Sequence, residues 1–202
     1  LPVLISADLV AIAVYRRHAD WSYLKLLLPW MVVGILLGYF FFSAIEERVL
    51  GRFIGAAVLL MTLIQAIRTV ARRRGWVDFA DRLPHTLLFR SGLGLLGGFS
   101  SMVANAAGPI GQLYFISVGL PKMAFIGTGA WCFFVVNMIK LPFQAHLELV
   151  HVESLQLSIS LAPLAMLGAW LGPRLMPLIS QRIFTPLVWS VILLAALQLL
   201  LS

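Results

Sequence analysis

The sequence predicts an all-α protein, a polytopic transmembrane helical bundle with a re-entrant broken-helix hairpin and an inverted repeat. Of its 202 residues, 61% are hydrophobic and only 11% are charged, whereas a soluble domain carries about 25% charged residues. The apolar residues form long runs, and the basic residues lie mainly between those runs, where membrane proteins place them. This pattern excludes a soluble enzyme, a disordered chain and, despite a net charge of +7, a nucleic-acid-binding domain.

Apolar segments follow one another along the whole chain. A helix that crosses a bilayer needs about 20 mostly apolar residues. Leu1–Val14 fits the end of a spanning helix, and Phe53–Ile67 spans when Leu50–Arg52 is added. Pro109–Leu120 covers only about 18 Å at about 1.5 Å per residue, so it cannot cross alone. The remaining predicted segments are Leu24–Ile45, His85–Ala104, Met123–Leu141, Leu155–Leu171 and Ile183–Leu201.

The connection Arg68–Pro84 is the most basic one, so the positive-inside rule places it in the cytoplasm; an anionic-lipid or partner site is the alternative. The expected sides of the other connections are inside for Tyr15–Ser22 and Gly172–Arg182, and outside for Glu46–Gly51 and Phe143–Ser154. This assignment of sides is consistent only if residues 85–120 begin and end on the same face of the membrane. We therefore expect a hairpin that enters the membrane and returns. All but three of the 15 Lys and Arg residues then lie inside, the exceptions being Arg48, Arg52 and Lys140.

An internal repeat is indicated by two triplets with the spacing Pro-x4-Gly-x3-Gly. The triplets are Pro29, Gly34, Gly38 and Pro163, Gly168, Gly172. The loops that precede them differ in Arg content, which is typical of an inverted repeat, the arrangement with which transporters build a midplane site. We therefore expect residues 1–67 to be the remnant of a first repeat whose hairpin precedes Leu1, 68–84 to be a basic cytoplasmic linker, and 85–202 to be the second repeat.

The most informative segment lies between the two arms of the predicted hairpin. Gly108 and Pro109 are poor helix formers, so we expect one helix to end there and another to start at Pro109, a favoured first-turn residue. Non-helical backbone at membrane depth is tolerated only against protein or a wet cavity. The N–H groups at a helix start attract anions, and Ser100, Ser101 and Asn105 add uncharged donors. The alternative is a kinked helix whose small residues allow close packing.

A family resemblance appears over Gly94 to Lys140. This stretch contains a Gly/Ser-rich hairpin, Gly108-Pro109, the turn Gly119-Leu120-Pro121-Lys122, and Phe125-Ile126-Gly127-Thr128 leading to Asn137 and Lys140. It resembles the second half of the TauE/SafE sulfite-exporter family of membrane permeases, and the resemblance extends over essentially the whole chain. The resemblance implies a two-repeat permease for organosulfur compounds or sulfur oxyanions. The chain departs from the family pattern in lacking the first Gly-rich hairpin and in having Asn105-Ala106-Ala107-Gly108-Pro109 where the family has a fuller glycine cluster.

Other polar residues within the apolar runs are candidates for transport. Asp8 is the only carboxylate deep in such a run, so it is a candidate for proton or sodium coupling; the alternative is a structural acid paired with Arg16 or Arg17. Lys140 is expected to extend to the outer surface rather than to meet the anion. Asn137, Thr128 and Gln112 are candidate substrate-binding residues whose alternative role is to hydrogen-bond a neighbouring helix.

These observations predict a secondary transporter of small anions, of the sulfite or organosulfonate type, that works by alternating access in the bacterial inner membrane. The expected partners are the anion, the bilayer and a coupling proton or sodium ion, with no nucleic acid and no cofactor; the sequence leaves the oligomeric state open. We expect no enzyme activity, because no His base is available to Ser100 or Ser101. A metal site is also not expected, since His146 and His151 lack the i, i+4 spacing of helical metal pairs. The alternative function is a non-transporting scaffold or insertase-like protein.

Overall fold

The structure is a computed structural model that describes residues 1–42, 49, 52, 55–56, 58–59, 62–63, 86–147, 149 and 152–201. Within these ranges the chain is helical, with no strand. The longer helices, in chain order, are α1 (Pro2–Tyr15), α2 (Trp21–Phe41), α3 (Leu87–Ala104), α4 (Ala107–Ser117), α5 (Lys122–His146), α6 (Val152–Leu175) and α7 (Gln181–Leu201). By length and composition, α2, α3 and α5 are able to cross a membrane.

The expected all-α membrane class is confirmed, and the helices lie close to the apolar segments that predict them. The re-entrant course of 85–120 and the inverted repeat stay predictions. Arg68–Pro84 lies outside the described residues, as do His85, His151 and most of Phe53–Ile67 and Glu46–Gly51.

The chain forms two compact units. Unit 1 comprises Leu1–Lys25 and Pro121–Phe184, and unit 2 comprises Leu26–Leu120 and Thr185–Ser202. Each unit contains segments from both expected repeats, because the units group residues by contact and the repeats group them by sequence. The division into 1–67, 68–84 and 85–202 therefore stays a prediction.

In unit 1, α1 packs against both α5 and α6. A short 3-10 turn, Arg16–His18, continues α1 and packs on α5. Position 127 of α5 must be glycine for this approach, because an added Cβ would lie 2.9 Å from both Ala19 N and Tyr15 O. The rings of Trp21 and Trp131 lie beside this junction, with centroids 5.0 Å apart.

Lys122 connects the start of α5 to the end of α6 by hydrogen bonds. The ammonium group of Lys122 donates to the carbonyl oxygens of Met176 at 2.8 Å and Ile179 at 2.5 Å. These carbonyls belong to a 3-10 turn, Met176–Leu178, and the residue after it. A lysine often satisfies carbonyl groups that a helix end leaves without partners.

In unit 2, α2 and α3 approach each other through glycines. An added Cβ at Gly98 would overlap the carbonyl oxygen of Met31 and lie 2.7 Å from its carbonyl carbon. One at Gly34 would overlap the carbonyl oxygen of Leu95, and one at Gly38 would lie 2.8 Å from Met102 Cβ. Small residues on facing helices allow such backbone contact in membranes.

The two Pro-Gly-Gly triplets have different surroundings. In the first triplet, atoms of α3 occupy the space in which a Cβ at Gly34 or Gly38 would lie. At Gly168 of the second, nothing lies within 4 Å of an added Cβ, and at Gly172 the nearest atom is Tyr15 Oη at 3.5 Å. Equal spacing in the sequence therefore does not give equal packing in the part of the chain that the structure describes.

Candidate functional site

The helix break predicted between the arms of the hairpin is present, but at a different residue. Helix α3 ends at Ala104 and α4 begins at Ala107, so the expectation that a helix starts at Pro109 is wrong by two residues. The break occurs at Asn105, which has a φ of 54°, the only positive φ at a described non-glycine residue. Asparagine tolerates this left-handed conformation better than most residues. Pro109 lies in the first turn of α4, where its missing N–H group costs no hydrogen bond.

Ser100 is bound to the main chain around the break. Its carbonyl oxygen accepts from the N–H groups of Asn105 and Ala106, the latter at 3.1 Å. Its hydroxyl oxygen lies 3.2 Å from Gly97 O and 3.3 Å from Ala106 O. The hydroxyl has one proton and can donate to only one of these oxygens at a time, so it must give up a backbone partner before it can donate to an anion. Ser100 and Ser101 are both buried.

The start of α4 is more open than the serines. No side chain caps this helix at Ala106, and its first-turn N–H groups have no partner within the helix. Asn105 is exposed, whereas Gly108, Pro109 and Gln112 are half-buried. An added Cβ at Gly108 would meet nothing within 4 Å. The break therefore offers backbone donors at an open place, which suits weak, uncharged recognition of an oxyanion.

A second polar cluster lies in unit 1, between α1 and α5. The amide nitrogen of Asn137 donates to Asp8 Oδ2 at 2.9 Å. Asp8 thus has a hydrogen-bond partner on α5, and the structure does not pair it with Arg16 or Arg17, both of which are exposed.

Lys140 is only 1% exposed, so the expectation that it extends to the outer surface is wrong. Asn137 and Lys140 are one helical turn apart and share one face of α5. That face meets Asp8 through Asn137. The i, i+3 spacing was visible in the sequence, but the contact with Asp8, 129 residues from Asn137, was not.

Thr128 has a partner in the link that precedes α2. Its hydroxyl oxygen accepts from the N–H of Asp20 at 2.8 Å, and the residue is fully buried. Asp20 lies outside the helices, so this contact is not the bond to a neighbouring helix given as the alternative, and the substrate-binding role of Thr128 stays a prediction.

The structure divides the predicted site residues between the two units. Unit 2 contains Ser100, Ser101, Asn105, Gly108, Pro109 and Gln112; unit 1 contains Asp8, Thr128 and Asn137. Among the described residues there is no group of three or more His, Cys, Asp or Glu side chains that could hold a metal ion.

A family model described as "Sulfite exporter TauE/SafE" matches residues 1–199. No curated protein and no solved structure shows significant similarity to the chain.

Proposed function

The chain belongs to the TauE/SafE sulfite exporter family of membrane transporters, and from this premise we propose that it is a multi-pass secondary transporter of sulfite or organosulfonate-type anions. The observation that carries the proposal is the family match over residues 1–199. The apolar helices agree with a membrane protein, and we place it in the bacterial inner membrane. Family membership does not favour the alternative of a scaffold or insertase.

The break between α3 and α4 is the proposed anion site. Its support is the uncapped start of α4 together with the open space at Gly108. The proposed mechanism is alternating access around a midplane site, with Asp8 as the residue that couples transport to a proton or sodium ion. The decisive assay is flux of sulfite in liposomes that contain the purified protein, because a scaffold would give no substrate-dependent flux.

The inverted topology makes a separate prediction about the two loops that flank α1 and α5. We expect residues 18 and 146 to lie on opposite faces of the membrane, because their loops differ in Arg content at matched repeat positions. His18→Cys and His146→Cys should be labelled by a membrane-impermeant maleimide from opposite sides. Both His residues are exposed, and the single native cysteine, Cys132, is fully buried, so background labelling should be low. Labelling of both positions from one side would refute the inverted repeat.

The proposed anion site predicts a loss of affinity at Asn105. Asn105→Gly removes the side-chain amide and keeps the positive φ, which glycine adopts without strain. We expect sulfite binding to weaken by about 1–3 kcal/mol. Isothermal titration in detergent measures the affinity, and a thermal melt shows whether the variant is folded.

Two further variants complete that test. Gly108→Leu places a larger group in the open space at the start of α4, so it should fold but weaken binding more than Asn105→Gly does. Ser190→Ala is the control, because Ser190 is exposed on α7 and bonds only Pro186 O at 3.0 Å. Parental affinity in both Asn105→Gly and Gly108→Leu would place the site elsewhere.

A further inference from the structure

The last turns of α6 carry an arginine that lies on a tryptophan ring. The guanidinium carbon of Arg174 is 3.4 Å from the centroid of the Trp170 ring, and both residues are exposed, Trp170 to 47%. Residues four apart are neighbours on one face of a helix. The electron-rich face of an indole ring attracts a cation at this distance. The ring therefore holds the guanidinium group at a defined place on the helix surface.

This face of α6 points away from α1. Gly172 lies on the side that meets α1, because a Cβ there would be 3.5 Å from Tyr15 Oη. Successive residues are about 100° apart around a helix, so Trp170 and Arg174 lie on nearly the opposite side from Gly172. Large, exposed apolar residues surround the pair on this side, namely Leu167, Leu171 and Leu178. In a membrane protein such a surface suits contact with lipid acyl chains, which are as apolar as leucine.

A guanidinium group on a lipid-facing surface needs an anion or water beside it, because a charge in hydrocarbon is costly. Within the described part of the chain, no carboxylate or carbonyl oxygen accepts a hydrogen bond from Arg174. Helical side chains lean toward the N-terminus of their helix, and Arg174 accordingly extends back along α6 to the Trp170 ring. Tryptophan is enriched at the depth of the lipid head groups. The N–H groups of Arg174 are therefore offered where lipid phosphates lie.

We propose that Trp170 and Arg174 form a binding site for the head group of an anionic phospholipid on the lipid-facing surface of α6. The planar guanidinium group presents paired N–H donors that match two oxygens of a phosphodiester. The contact with the ring uses none of these donors as hydrogen bonds. The leucines beside the pair contact the acyl chains of the same lipid, which a soluble phosphate does not have.

The charge of the site favours an anionic lipid over a zwitterionic one. Phosphatidylglycerol carries one net negative charge, which the guanidinium group balances, whereas the choline group of phosphatidylcholine already balances its own phosphate. The connection that follows α6 is expected on the cytoplasmic side, where the leaflet contains anionic lipids. The inference requires only that the chain is a membrane protein, and it holds whichever anion is transported.

The test is lipid binding to the purified full chain, delipidated in detergent and followed by native mass spectrometry. The probes are phosphatidylglycerol and phosphatidylcholine with the same acyl chains, and sn-glycerol 3-phosphate as a soluble phosphate. We expect the parent to bind one phosphatidylglycerol molecule more tightly than phosphatidylcholine. At the same concentration the soluble phosphate should not bind. Added salt should reduce the preference, because the site is exposed and its charge is screened.

Arg174→Gln should lower the affinity for the first phosphatidylglycerol about fivefold, the usual effect of one basic residue at an anionic membrane surface. Its affinity for phosphatidylcholine should not change. Arg174→Lys keeps the charge without the paired donors, and Trp170→Leu removes the ring, so both should lie between the parent and Arg174→Gln. The matched control is Arg17→Gln, which removes an exposed arginine from the turn after α1 and should leave this affinity unchanged.

Four outcomes would overturn the inference. Parental affinity in Arg174→Gln, or an equal loss in Arg17→Gln, would remove the role of this arginine. Equal binding of the two lipids would mean that the surface recognises acyl chains alone, and equally tight binding of sn-glycerol 3-phosphate would mean a site for soluble phosphate. A dimer in the parent that Arg174→Gln dissociates would mean that a second copy of the chain covers this face.

Discussion

A single methyl group at position 98 is expected to prevent the normal packing of unit 2. In Gly98→Ala the new Cβ would overlap the carbonyl oxygen of Met31 and crowd two further backbone atoms of that residue. Backbone cannot rotate away as a flexible side chain can, so α2 and α3 must separate. We expect a loss of about 3 kcal/mol or more in unfolding free energy, at the upper end of overpacking effects, measured as a large drop in the thermal unfolding temperature and in the yield of monodisperse protein.

The control for this prediction is on the same helix. Gly92 is exposed, and an added Cβ there would meet nothing within 4 Å. Gly92→Ala therefore introduces the same methyl group without a clash and should stabilise α3 by up to about 1 kcal/mol, because alanine is the better helix former. Equal unfolding temperatures for Gly92→Ala and Gly98→Ala would mean that α2 and α3 do not approach as closely as the structure has them.

The second large effect is expected at Lys122, which joins the start of α5 to the end of α6. Lys122→Met keeps most of the aliphatic stem but removes the ammonium group, so the carbonyl oxygen of Ile179 loses this donor and that of Met176 keeps only the N–H of Ile179. Hydrogen bonds to charged groups contribute about 1.5–3 kcal/mol each. Because Met176 O keeps the N–H of Ile179 as a donor, we expect a loss of about 2–4 kcal/mol, less than the sum of two such bonds.

Thermal unfolding in detergent checks this value, with Lys25→Met as the matched control because Lys25 is exposed. A further readout is hydrogen exchange, which should become faster at residues 176–181 in Lys122→Met. If both lysine variants unfold with the parent, the Lys122 contacts contribute nothing to stability.

The sequence predicted the helices well, because apolar runs bounded by charged residues are a strong and local signal. It also predicted a helix break between Ala104 and Pro109, but placed it at Gly108 and Pro109, whereas the chain leaves the helical conformation at Asn105. Gly108 and Pro109 are both unfavourable in the middle of a helix but acceptable in its first turn. Their presence therefore indicated that a helix boundary was near, but it did not indicate whether the boundary preceded or followed them.

The candidate site was only partly predictable, since its contacts join distant parts of the chain. Asp8 and Asn137 were each notable as polar residues in apolar helices, yet nothing local to either one indicates their hydrogen bond. Lys140 was misjudged for a related reason: a lysine near the end of an apolar run is expected to extend to the surface, but the packing of distant parts of the chain leaves it only 1% exposed. Ser100 was predicted as a donor to the anion, but its hydroxyl lies within hydrogen-bond distance of Gly97 O in its own helix and of Ala106 O beyond the turn at Asn105.

The paired indoles of Trp21 and Trp131 have a consequence for spectroscopy. Their centroids lie 5.0 Å apart, with ring planes inclined by 52°. At this separation and tilt the electronic transitions of the two rings couple, which produces a circular dichroism couplet that an isolated tryptophan does not give. Because one ring begins α2 and the other belongs to α5, the couplet exists only while that junction is intact. The protein thus carries an intrinsic optical probe of the packing between the start of α2 and α5, and this probe requires no label.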